Sequence, residues 1–144
     1  MTDLTLDAAR RIIDGALACR KEKGYLPLAV AVYDARGALK AFGAEEGTSL
    51  KRAEMAQGKA LAALAVGMGS RTLGKMAIDR PHFINALQSL TPHFVPVPGG
   101  VLIRDAAGGL MGAVGISGDV SDNDETAALA GIAAAGLKGD PGAS

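Results

Sequence analysis

Two segments of this 144-residue chain each read as a strand, a turn and a returning strand, and together they constrain the fold more than any other feature. In "PLAVAVYDARGALKAFG", Leu28 to Tyr33 is an apolar run, "DARG" is a turn, and Ala38 to Phe42 returns. In "PHFVPVPGGVLIRDAAGGLMGAVGISG", Val101 to Arg104 and Leu110 to Ser117 flank the "DAAGG" turn. Hairpins build antiparallel sheets, whereas a parallel nucleotide-binding sheet requires strands alternating with helices.

Helical periodicity fills the remainder. Ala8, Ile12, Ile13, Ala16 and Leu17 recur at helix spacing, with Thr5 or Asp7 as cap and Gly24 as stop. A long helix is expected from Ser49 to about Met68. Two short helices should follow, interrupted at Gly74 and Pro81. A last helix runs from Asp122 to Ala135, closed by Gly136. Phe94 to Val97 reads as an extended edge segment, and residues 137–144 as a frayed tail. The reading is an α+β domain spanning 1–144, with an ordered core over about 4–136.

Composition narrows the function classes. Aromatic residues make up 3% of the chain and Trp is absent, so few side chains can stack on bases. Fifteen basic residues balance fifteen acidic ones, which argues against a nucleic-acid partner. The N-terminus lacks a basic-then-apolar leader and no apolar run is long enough to span a membrane, so a cytoplasmic location is expected. Cys19, the single cysteine, lies on an apolar helix face and reads as a small core residue. "GSRTLGKM", Gly69 to Met76, imitates a phosphate loop, but Met76 replaces the magnesium-binding hydroxyl and the motif leaves a helix rather than a strand.

Chemistry-bearing residues concentrate near "GGLMGAVGISGDVSDNDE", Gly108 to Glu125. Strand alternation puts Leu110, Gly112, Val114 and Ile116 on one face and Met111, Ala113, Gly115 and Ser117 on the other. The second face is small enough to admit a helix, a subunit or a ligand. Asp122, Asp124 and Glu125 fit a helix first turn, where capping and the helix dipole favour carboxylates. Arg52 and Lys59, seven residues apart, share a helix face and could be solvated charges or cations at a pocket rim that receive a carboxylate. His93 precedes the Gly99–Gly100 pair, whose backbone a ligand can approach.

The blocks "PLAVAVYDARGAL", "AQGKALAALAVG", "PGGVLI" and "GGLMGAVGISGDVSDNDETAALAGIAA" resemble those of the GlcG/HbpS family of haem-binding-like proteins, also found as the C-terminal domain of PduO-type proteins. The resemblance spans about Leu4 to Gly136. It implies a five-stranded antiparallel sheet flanked by helices, in a profilin- or PAS-like layout, and homo-oligomers from dimer to octamer. It carries Lys59, Gly99, Gly100, Gly115, Ser117, Asp124 and Glu125 over as the pocket region. Three readings follow. In the first, the chain binds haem or another tetrapyrrole, with His93 as axial ligand and Arg52 and Lys59 meeting the propionates. In the second, it is a catabolic isomerase, tautomerase or hydrolase on a carboxylated metabolite, with Asp124 or Glu125 as base and the Gly99–Gly100 N–H groups holding an oxyanion. In the third, it is an oligomeric module whose glycine face is the interface.

Overall fold

Thr5 starts the first helix as expected: its Oγ1 accepts the Ala8 N–H (3.0 Å), and Gly24, at φ 70°, ends it in the left-handed region. The computed structural model describes residues 3–144. Its helices are α1 (Leu6–Lys23), α2 (Arg52–Val66), α3 (Ser70–Asp79), α4 (Pro81–Leu90) and α5 (Ser121–Ala134). Its strands are β1 (Ala29–Asp34), β2 (Leu39–Ala44), β3 (Gly100–Arg104), β4 (Leu110–Ser117) and β5 (Lys138–Asp140). They form one sheet in the order β2-β1-β4-β3-β5, with every pairing antiparallel.

The two faces of the sheet differ in side-chain size, and that difference sets the layering. Val30, Val32, Val101, Ile103, Val114 and Ile116 pack against α1 and α5. Ala29, Ala31, Tyr33, Leu102 and Ala113 face α2, which answers with Ala56, Ala60 and Ala63. Large residues need a wide layer, while small ones let α2 lie close to the strands. Beyond α2, a third cluster of Ala62, Leu73, Ile84 and Phe94 attaches α3 and α4. Cys19 is buried in the α1 layer.

Several local expectations are corrected. Leu110 packs beside Ala113's cluster and Met111 beside Val114's, the reverse of strict alternation. The cause is a register shift in which Ile103 pairs with Gly112 but Arg104 with Leu110, leaving one extra residue on β4. Gly74 lies inside α3 instead of breaking it; a Cβ there would come 3.2 Å from the Pro96 carbonyl, so glycine serves packing. Phe94 to Val97 is not a strand. Pro92, Pro96 and Pro98 remove ladder donors, and the Val95 N–H instead donates to the Gly58 carbonyl of α2 (3.2 Å). The tail is not frayed over 138–140: those residues are β5, paired with Leu102 to Arg104. Beyond it, the Ala143 N–H donates to Thr72 Oγ1 of α3 (2.8 Å).

Candidate functional site

Seven of the expected residues converge where β4 ends beneath α2. Lys59, 1% exposed, projects from α2, and its Nζ donates to Asp124 Oδ2 (2.9 Å) and to the Ile116 carbonyl (2.9 Å). Asp124, fully buried in the first turn of α5, also accepts the Asp119 N–H at Oδ1 (2.9 Å). A pair placed on opposite faces of the sheet thus joins through the sheet's end. Burial pushes the Lys59 ammonium below its ordinary value, opposed by the charge of Asp124. Burial likewise pushes the Asp124 carboxyl up, opposed by Lys59. The hydrogen bonds favour the ion pair and desolvation works against it.

The glycines are the space this arrangement needs. A Cβ on Gly99, which sits at φ +123°, would lie 3.0 Å from Lys59 Nζ. A Cβ on Gly100 would strike the Lys59 backbone, and one on Gly115 would strike the Ala56 carbonyl. The Gly100 N–H already donates to Ser70 Oγ (2.7 Å), which donates in turn to the Val97 carbonyl (2.6 Å). Ser117 Oγ, buried, accepts from Arg52 Nη1 (3.1 Å). Lys59 is therefore turned into the core rather than toward a rim, and α2 of the same chain covers the small strand face. Glu125 points elsewhere: Arg71 Nε donates to its Oε1 (2.9 Å), and Arg71 also pairs with Asp122. That bidentate, two-carboxylate setting holds the Arg71 guanidinium above its ordinary value.

His93 stands apart from this cluster. It is exposed, and it is the one non-glycine residue among those described with positive φ (58°). It borders a hollow of about 360 Å³ lined by Ala35, Arg36, Gly37, Leu61, Leu64, Ala65, Thr91 and Pro92. It also borders a second hollow, of about 370 Å³, with Lys51, Glu54, Met55, Phe94 and Val95. Arg36 and the leucines were not singled out from the sequence. Arg36 lies in the "DARG" turn, and Leu61 and Leu64 lie in the long helix with no motif to mark them.

The match over residues 4–133 is to the family described as haem degrading protein HbpS-like. The chain belongs to this HbpS-like family. Its fold is similar to the crystal structure of a PduOC–haem complex, with 25% identity, a TM-score of 0.84, and coverage of 94% of this chain and 97% of that one. It is similar to the crystal structure of HbpS, at 28% identity and a TM-score of 0.80, covering 92% of this chain and 90% of that one. A double mutant of Streptomyces reticuli HbpS is matched at 27% identity and a TM-score of 0.80, covering 92% and 87%. Comparison with functionally curated proteins gave no match. Among the described residues, no helix is long and apolar enough to cross a membrane.

Proposed function

We propose that this HbpS-like chain binds haem or a related tetrapyrrole on the shelf beside His93. Membership of the family supports the class, as does the haem bound by the PduOC domain of similar fold. The observation that carries the placement is the exposed His93, held at a left-handed backbone angle on the edge of an apolar hollow. The residues there fit the group. His93 offers an imidazole to iron. Leu61, Leu64 and Ala65 offer a hydrocarbon surface to one face of the macrocycle, and Arg36, which pairs with Asp34 through Nη2 (3.2 Å) but has its side chain 83% exposed, keeps its other donors for a propionate. Bound haem would supply redox and ligand-binding chemistry at its iron, while the chain supplies the ligand, the apolar shelf and the counter-charge.

Arg52 and Lys59 are replaced in the propionate role by Arg36. Lys59 is sealed against Asp124, and Arg52 lines a different hollow, near the start of α2, that does not include His93. The enzyme alternative would need a free base, and both candidates are engaged, Asp124 by Lys59 and Glu125 by Arg71. Homo-oligomerisation and a cytoplasmic location belong to this proposal. Exposed Leu39 and Phe42 on the edge strand β2 favour association.

A haemin titration tests the reading. A saturable Soret band is expected, lost in His93→Ala and retained in His82→Ala. Weak, non-saturable association, or full retention by His93→Ala, contradicts it.

A further inference from the structure

Arginines that are half-buried in this fold have carboxylate partners, with one exception. Arg20 meets Glu45 (3.4 Å), Arg71 meets Glu125 (2.9 Å) and Arg104 meets Asp140 (3.2 Å). Arg52 is also half-buried, yet among the described residues no carboxylate lies within ion-pair distance of it. Its one side-chain hydrogen bond, from Nη1 to Ser117 Oγ, fixes one arm of the guanidinium. Four nitrogen-bound protons remain for other partners, and withdrawing such a cation from water without an acceptor is costly.

Arg52 lines a hollow of about 210 Å³ at the opposite end of α2 from the Leu64 shelf. Leu26, Pro27, Gly47, Thr48, Ser49 and Gly118 complete it. Nearby acids are occupied with other partners. The Asp119 carboxylate accepts the Leu26 and Val120 N–H groups and the Asn123 amide, while Asp124 accepts from Lys59 and the Asp119 N–H. Glu45 accepts the Leu28 N–H and pairs with Arg20. The Arg52 charge helps to hold the Asp119 and Asp124 carboxyls down from a distance, but neither carboxylate reaches it, so its remaining N–H donors are left for something that enters the hollow. Leu26, 60% exposed, and Pro27 give the same hollow an apolar wall.

We propose that this hollow is a second ligand site, taking a small aliphatic monocarboxylate whose carboxylate meets the Arg52 guanidinium and whose short chain lies along Leu26 and Pro27. The planar fork of arginine suits a carboxylate better than a compact anion. Sites for drug-sized ligands enclose about 300–1,000 Å³, so this smaller hollow selects an acid of a few carbons. Ser117 is a positioning residue that holds the fork in place. The site is separate from the haem shelf and rests on none of the residues used there.

The test is a titration of ¹⁵N-labelled protein with butyrate, butyramide and inorganic phosphate, read by amide shifts. Butyrate should give saturable shifts centred on Gly47, Thr48, Ser49, Arg52 and Gly118, and butyramide should not. Arg52→Gln should weaken binding by about tenfold or more. Ser49→Asp, at an exposed position, places a carboxylate beside the fork and should abolish binding even if Arg52→Gln folds poorly. His93→Ala should bind butyrate as the parent does. Absence of saturable butyrate shifts, equal shifts with phosphate or butyramide, or retained affinity in Ser49→Asp would overturn the proposal.

Discussion

Lys59 shows how far a side chain's role depends on residues distant in sequence. Its spacing from Arg52 places both on one helix face, and the structure keeps them there. Their fates differ because Asp124, 65 positions away, meets Lys59 at the sheet's end, whereas Arg52 finds only a hydroxyl. Removing one member of such a buried pair leaves an uncompensated charge, which costs about 3–5 kcal/mol. Lys59→Met and Asp124→Leu should each destabilise the fold by roughly that amount in urea unfolding, while the double variant should lose less than either. If the single losses simply add in the double variant, the pair is not the latch described. In Lys59→Met the orphaned Asp124 loses its nearest cation, and burial is opposed only by the Asp119 N–H and the more distant Arg52. Its native value, already raised, rises further, so the protein should be more stable in acid and weaken as pH climbs through that value.

At the scale of elements, the hairpins were legible because alternation and turn chemistry agree over each of them. The five-stranded sheet implied by the family resemblance is present, but the position of its fifth strand was not legible. "KGD" has neither β-branched nor aromatic residues, and it is a strand only because β3 presents a free edge and Gly139 fits against Leu129. Deleting residues 138–144 should therefore lower the urea midpoint and expose the β3 edge, rather than pass unnoticed as removal of a loose tail would. The small face of β4 was legible as a close-approach surface, but what approaches was not. It is α2 of the same chain. Gly115→Ala should cost about 1–3 kcal/mol through overpacking against Ala56. Gly43→Ala, where the nearest atom is Ile13 Cγ2 at 3.7 Å, should stay within about 0.5 kcal/mol. Equal effects at both positions would contradict the role given to α2.

Across the whole molecule, charge is balanced in sum but not in its response to acid. Asp34 is held below the ordinary carboxylate value mainly by the Ala38 N–H, aided by Arg36. Asp119 is held low mainly by the Leu26 N–H. Groups lowered in the native state add stability above the ordinary carboxylate range, and that stability is lost as pH falls through their native values. Stability measured by urea unfolding should thus drop in that acid range, and Asp119→Asn should flatten the drop. An unchanged acid limb would show that Asp119 does not tie the α1–β1 connection to α5.

The molecule also separates two things that its sequence places together. The glycine-rich block and Asp124 form a packed latch, and the ligand shelf lies apart from it, between His93 and the leucines of α2. The most direct measurement is an amide-shift map of labelled protein titrated with gallium protoporphyrin, a diamagnetic stand-in for haem. The account predicts saturable shifts centred on Arg36, Leu61, Leu64 and His93. Shifts centred instead on Gly99, Gly115, Ser117 and Asp124 would contradict it.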